Sequence, residues 1–309
     1  MLQYFFSTLW RTFSYTESMI TYNKILHGVE FFSKLGVEVG AVGVSEDGRI
    51  LPYIFIGNHN ATSIFITGGI HAREHISSYM VMRQAEYTLN YFNSLSKEQR
   101  KKAGGIYFIP TLNPDGLEIC HKGVKALKKC DKKFVDNLIK SEKTAKGLYK
   151  ANAKGVDLNV NFDAKWGSGK SNIFKPATAN FVGEKPFSEK ESRAIRDFTL
   201  TIAPVATVSY HCLGREIYWE FGQTKTNALR DFALVKFLNK KLNYTILPDD
   251  GTSAGGYKDW CISALTIPSF TIELGADNLT HPIVDYSLLA DDIKRNLDLP
   301  IRLLKYMTN

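Results

Sequence analysis

Ser63–His75 reads SIFITGGIHAREH. Its first six residues, Ser63–Gly68, are β-branched or aromatic between small residues, the composition of a buried strand. Two glycines end the run, and Ser77–Leu95 follows as a helix candidate. A buried strand feeding into a helix is the unit of an α/β fold. Further strand candidates are Ile50–Gly57, Gly105–Thr111, Val205–His211, Glu216–Phe221 and Ser269–Leu274. Helix candidates at Ser188–Ile202, Asn227–Leu242 and Tyr286–Met307 alternate with them. Ser188, with Glu191 three positions on, predicts a capping box at the start of the first. The order predicts one α/β domain, its sheet covered by helices on both faces.

The chain has 309 residues, 44% hydrophobic and 23% charged. That excludes a disordered or fibrous protein. The net charge of +8 raises polyanion binding. However, Lys122–Lys154 holds eleven lysines, no arginine and three acids, so the rest of the chain is neutral. A nucleic-acid binder spreads Lys and Arg over a face, with Arg for base edges. The block reads instead as an inserted, solvated segment, and Gly167–Glu184 as a second loop-like region. Cys120, Cys130, Cys212 and Cys261 form no CxxC pair, so reduced thiols are expected, with a Cys120–Cys130 bridge as the alternative. The N-terminal run MLQYFFSTLWRTFSYTE lacks a basic start, a cleavage site and an apolar stretch uninterrupted by Arg11. No membrane span is expected. The expectation is a cytoplasmic protein, with export by an unusual route as the alternative.

His71 and Glu74 are three apart just after the strand. In a turn or first helical turn that spacing brings both side chains within reach of one ion. Zinc accepts imidazole nitrogen and carboxylate oxygen, and a catalytic zinc takes three protein ligands and an open position. The bland alternative is a helix N-terminus with scattered polar residues. His211 ends the apolar run from Val205 and completes a two-His, one-carboxylate set. His75 competes but is one residue past Glu74. His27, His59, His121 and His281 have no partner motif. Glu273 sits inside the apolar strand FTIEL, where burial is costly without a task or a partner. Beside a metal it suits a general base; away from one it is a structural Glu paired with a lysine.

HAREH, the NPDG turn at Asn113–Gly116, GVDLNVNF at Gly155–Phe162, SYH at Ser209–His211, GGYKDW at Gly255–Trp260 and FTIEL at Phe270–Leu274 follow one another in the order of zinc metallocarboxypeptidases. From about Tyr22 onward the chain resembles the catalytic domain of that family, with residues 1–20 as an N-terminal extension and 21–309 as the domain. The resemblance implies a twisted, mixed, eight-stranded sheet with helices on both faces. It implies one Zn2+ per chain held by His71, Glu74 and His211. It implies Glu273 as the group that activates the hydrolytic water and protonates the leaving amine. Arg73 and Asn159 take the places of substrate-binding residues, while Asp157 and Asn113 read as structural.

The sequence departs from the pattern at informative places. The family's Asn-Arg-Asn is Asn159-Val160-Asn161 here, and valine cannot fork onto a carboxylate. Gly251 stands where relatives carry a mobile tyrosine, with Tyr257 nearby as the substitute candidate. In Lys150-Ala151-Asn152-Ala153-Lys154 only the lysines supply charge for the scissile carbonyl, and Lys154 is the favoured one. Lys258 falls at the base of the side-chain pocket and suits a carboxylate there; the alternative is a solvated loop lysine. The combination resembles the bacterial branch that cleaves γ-D-glutamyl–diaminopimelate bonds, so the expected partner is a peptide or muropeptide, with no nucleic acid. Rival readings are a conventional carboxypeptidase, a catalytically dead binding module and, weakest, a nucleic-acid binder. The Lys-rich block, running into Gly155–Asn161, predicts a positive rim beside the cleft.

Overall fold

A computed structural model describes residues 20–145 and 147–308. The expected N-terminal extension lies outside them except for Ile20. Among these residues eight strands form one mixed sheet: β1 (Glu38–Val44), β2 (Ile50–Gly57), β3 (Ser63–Thr67), β4 (Gly105–Ile109), β5 (Thr207–Cys212), β6 (Glu216–Tyr218), β7 (Thr245–Leu247) and β8 (Ser269–Leu274). Their spatial order is β1-β2-β4-β3-β5-β8-β6-β7. The central strands β4, β3, β5 and β8 run parallel, and antiparallel pairs flank them. Parallel strands need covered faces, and they have them.

Among the described residues ten helices follow in chain order: α1 (Tyr22–Lys34), α2 (His75–Ser94), α3 (Lys97–Lys102), α4 (Pro114–Lys122), α5 (Lys132–Ser141), α6 (Lys190–Ile202), α7 (Lys225–Leu242), α8 (Tyr257–Leu265), α9 (Ala290–Asn296) and α10 (Leu299–Thr308). The pleat of β3 shows how the two layers divide. Ile64 and Ile66 pack into one core with side chains of α1, α2, α7 and α10, while Phe65 enters the opposite core with Ile195 of α6 and Tyr257, Trp260 and Cys261 of α8. Burying three such side chains contributes roughly 5–9 kcal/mol of apolar transfer energy. No described helix is long and apolar enough to cross a membrane.

The expected bounds of β2 and β8 match the structure, and the others differ by a few residues. The expected helix Tyr286–Met307 divides into a 3-10 turn at Tyr286–Leu289, α9 and α10. Pro300 restarts a helix rather than continuing one. The capping box predicted at Ser188 does not form. The N-cap of α6 is Glu189, without a side-chain cap bond, and the Glu191 carboxylate accepts from Glu46 N at 3.2 Å instead. Nor is the Lys-rich block a plain solvated loop. It contains α5, which anchors Val135 in a satellite core with Cys120, Leu127, Tyr149 and Ala151. All four cysteines are free.

Candidate metal centre

The site lies at the C-terminal ends of the parallel strands, where open α/β sheets place their ligands. Just beyond β3, Gly69 turns the chain with φ +64. A Cβ there would collide with Ser78 Oγ and crowd Thr111, so only glycine lets the next residues approach helix α2 this closely. His71 follows, and Glu74 is the N-cap of α2. His211 lies near the end of β5 and Glu273 near the end of β8, opposite each other in the parallel ladder.

Three side chains converge. His71 Nδ1 lies 2.8 Å from Glu74 Oε1, His211 Nδ1 lies 3.1 Å from Glu74 Oε2, and the two Nδ1 atoms are 3.1 Å apart. One ligand atom from each falls within 4.8 Å of the others, and all three residues are buried. Two imidazole nitrogens facing each other across a carboxylate cannot all be satisfied by protons of one another. Two nitrogens and one carboxylate oxygen around an enclosed point are the donor set of a three-ligand zinc site. The Glu74 carboxyl is held well below its ordinary range: burial opposes this, but the two imidazoles outweigh it.

Asp157 supports the set from behind. It is fully buried; its Oδ1 lies 3.2 Å from His71 Nε2 and its Oδ2 lies 2.8 Å from Lys150 Nζ. A carboxylate behind a ligating imidazole fixes its tautomer and raises its basicity. Burial works against the Asp157 charge, yet Lys150 and His71 hold its carboxyl well below the usual range. Glu273 behaves oppositely. Burial, together with the charge of Glu74, pushes its carboxyl up to about 8 against the pull of His211 and Lys150. A cation in the neighbouring site would act the other way. Its Oε2 has no hydrogen-bond partner.

A cleft of about 250 Å³ opens beside these groups. His71, His211, Glu273, Lys150, Asn159 and Lys258 line it. Lys150, rather than Lys154, is therefore the lysine at the site. Lys154 points elsewhere, half exposed, 3.1 Å from Glu46 Oε2. Tyr257 is also displaced from its expected role. It is fully buried, with its hydroxyl 2.8 Å from Thr199 Oγ1 and its ring packed against Phe65 and Phe162. Only its backbone N–H serves the site, donating to Asn159 Oδ1 at 3.2 Å. Arg73 is not among the residues lining the cleft, and its Nε is buried without a hydrogen bond. Val160, at the place of the missing arginine, is buried.

Lys258 does line the cleft, but its charge is shared. Its Nζ lies 2.6 Å from Asp259 Oδ1, donates to the Glu220 carbonyl at 2.9 Å and sits 5.4 Å from the Phe221 ring centre. Glu220, Asp249 and Asp250 also line the cleft, so the rim carries both signs rather than the positive edge expected from the lysine block. Among the described residues of that block only Lys150 reaches the lining. Asp249 and Asp250 stand in a polar loop with no motif around them, and Glu220 sits in the expected strand Glu216–Phe221, which ends at Tyr218 and leaves it at the rim. Asp157 was legible only as a loop residue.

Residues 36–296 match the zinc carboxypeptidase family, a family of zinc hydrolases. A γ-D-glutamyl-L-diamino acid endopeptidase 1 of Lysinibacillus sphaericus is 28% identical over 255 residues, 80% of this chain and 63% of the relative. The chain thus spans about three fifths of that relative's length. Among solved structures, bovine thrombin-activatable fibrinolysis inhibitor superposes with a TM-score of 0.75 at 18% identity, covering 95% of this chain and 98% of the other. The murein-tripeptide amidase MpaA of Escherichia coli O157 superposes with a TM-score of 0.53 at 20% identity, over 86% and 91%. At such identities the superpositions show a shared fold.

Proposed function

The chain belongs to the zinc carboxypeptidase family, and we propose that it is a zinc metallopeptidase hydrolysing peptide or γ-glutamyl amide bonds in muropeptide-like substrates. The observation that carries this reading is the convergence of His71, Glu74 and His211 on one point, with Glu273 facing His211 across the ladder. In the proposal, His71 Nδ1, His211 Nδ1 and the Glu74 carboxylate hold the ion. Zinc, when bound, supplies Lewis-acid polarisation of the scissile carbonyl and of water. Glu273, as the carboxylate, takes the proton from the hydrolytic water and passes it to the leaving amine, a task suited to a carboxylate whose proton affinity burial raises. Asp157 keeps His71 in place and holds Lys150 at the cleft wall, where the ammonium meets charge developing on the carbonyl oxygen. Asn159 presents its side-chain amide for a substrate carboxylate.

The mixed rim supports the substrate class. A diamino acid residue offers a free ammonium and a carboxylate together. Lys258 suits the carboxylate, and Glu220, Asp249 and Asp250 suit the ammonium. The Lysinibacillus relative is named for a γ-D-glutamyl-L-diamino acid bond, which points the same way. A binding module has no use for a buried, unpaired carboxyl beside a metal set, and this weighs against a catalytically dead protein.

The test is cleavage of γ-D-glutamyl–diaminopimelate peptides by the zinc-loaded protein, with ordinary C-terminal dipeptides as comparison. Glu273→Gln is expected to lower kcat by about 10²–10⁴-fold with zinc content unchanged. Full activity in that variant would sink the mechanism. Cleavage of ordinary C-terminal residues alone would sink the substrate class and leave a conventional carboxypeptidase.

A further inference from the structure

A second cluster of acids lies away from the cleft. Glu46, in the turn between β1 and β2, meets Glu189 and Glu191 at the start of α6. All three are buried, and one carboxylate oxygen from each lies within 4.8 Å of the other two. Most of their remaining valences are filled. Glu189 Oε2 accepts from Asn152 Nδ2 at 2.8 Å and its Oε1 from Ser188 Oγ at 2.8 Å. Glu46 Oε1 accepts from Lys190 N at 2.9 Å, and Glu191 Oε1 accepts from Glu46 N at 3.2 Å. Glu191 Oε2 is different. Its residue is only 1% exposed, and this oxygen has no hydrogen-bond partner at all.

Charge around the cluster is also unbalanced. The neighbouring acids Asp47 and Asp115 share Arg49, at 2.6 and 2.8 Å from its Nη1. Lys154 and Lys190 approach Glu46 Oε2 at 3.1 and 3.6 Å. Five carboxylates thus share three ion-paired cations, which leaves two negative charges uncompensated. Burying uncompensated charge is costly, and either a proton or a cation relieves it. Burial, with the charge of Asp115, pushes the Glu191 carboxyl well above its ordinary range, so the site demands positive charge in one form or the other.

We propose that Glu46, Glu189 and Glu191 form a second metal site that takes a hard, oxygen-liganded divalent cation of the calcium type. Three carboxylate oxygens within 4.8 Å of one another suit a cation with metal–oxygen bonds of about 2.3–2.6 Å. No nitrogen or sulfur ligand is in the cluster, which separates it from the zinc set. Its two positive charges match the deficit. Lys154 and Lys190, each about half exposed, lie on the solvent side of Glu46. The ion would tie the β1–β2 turn to α6 and, through Asn152, to the segment that carries Lys150 and Asp157 to the cleft.

The experiment is a calorimetric titration of CaCl2 into zinc-loaded, calcium-free protein, with thermal unfolding in parallel. One equivalent is expected, and at a hundredfold excess over Kd the Tm rises by about 5 °C. Glu191→Gln abolishes both effects, while Asp249→Asn with Asp250→Asn, on the cleft rim, leaves them. Lys154→Met tightens calcium binding by about tenfold, as removal of a like charge near a divalent ion does in hydrated surroundings. That arm leaves all three proposed ligands in the sequence, removing only the lysine paired with Glu46. Absence of binding by the parent protein would overturn the proposal and leave Glu191 holding a proton. Binding that survives Glu191→Gln, or that Lys154→Met does not tighten, would overturn it as well.

Discussion

Replacing Lys150 by methionine separates the ion pair this ammonium makes with Asp157 from the catalytic role proposed for it. Lys150 Nζ lies 2.8 Å from Asp157 Oδ2, with the lysine side chain 16% exposed and the aspartate fully buried. Removing one partner of a buried pair costs about 3–5 kcal/mol, because the other charge is left uncompensated. Asp157 keeps three contacts: Asn159 N at 3.0 Å, Asn180 N at 3.1 Å and His71 Nε2 at 3.2 Å. They place the expected loss near the lower figure, about 3 kcal/mol, or a Tm lower by roughly 5 °C. Catalysis loses a charge directed at the developing oxyanion, a change worth about 10²–10³ in kcat. Steady-state kinetics on a γ-D-glutamyl–diaminopimelate peptide, at fixed zinc content and alongside calorimetric unfolding, measure both. Lys150→Arg keeps the charge and is expected to recover most of kcat. A folded, zinc-loaded Lys150→Met protein with kcat within about threefold of the parent would refute the catalytic role and leave a lysine that only steadies Asp157.

Tyr257→Phe removes a hydroxyl bonded to Thr199 inside the core, so it is expected to cost about 1 kcal/mol of stability with kcat/KM unchanged; a selective loss of activity would restore Tyr257 to the cleft. Lys258→Met is expected to raise KM for the diaminopimelate substrate by about tenfold with kcat held, whereas an unchanged KM would make Lys258 the partner of Asp259 alone. Removal of zinc with 1,10-phenanthroline is expected to abolish activity and lower the Tm, and one equivalent of zinc is expected to restore both; restoration without zinc contradicts the assigned ligand set. Asp47 accepts backbone N–H bonds from Lys128, Lys129 and Cys130 and pairs with Arg49; burial opposes its charge, yet these donors hold the carboxyl below its ordinary range. In the folded state it therefore binds fewer protons than in the unfolded chain, so its stabilisation is complete above about pH 4 and is lost as pH falls further. Asp47→Asn should be less stable than the parent at pH 7 and lose less between pH 5 and 2, as a series of Tm values would show.

What could be read from the chain alone follows from local physics. Ile50–Gly57 and Ser269–Leu274 were identified to the residue because a strand covered on both faces must be apolar along its length. β1, EVGAVGV, escaped because it is a half-exposed edge strand with two glycines, and β7 has only three residues at the other edge. His71 and Glu74 were legible because three-residue spacing is local geometry. His211 and Glu273 were legible because polar residues inside apolar strands need a reason to be there.

The lysine at the cleft was not legible in that way. Lys150 and Lys154 are four residues apart in one short segment, and composition cannot choose between them. The turn closed by Gly155 N to Asn152 O, with Gly155 at φ +73, sends the two side chains to different partners, Asp157 for Lys150 and Glu46 for Lys154. Glu191 likewise fits a capping pattern in sequence, yet Glu46, 145 positions away, claims its carboxylate. The sequence by itself determined the central strands, the metal-ligand candidates and the acid inside an apolar strand, because each is written in spacing or in apolar runs. Tertiary structure alone decided which charges meet, because ion pairing depends on distances between residues that the chain brings together only by folding.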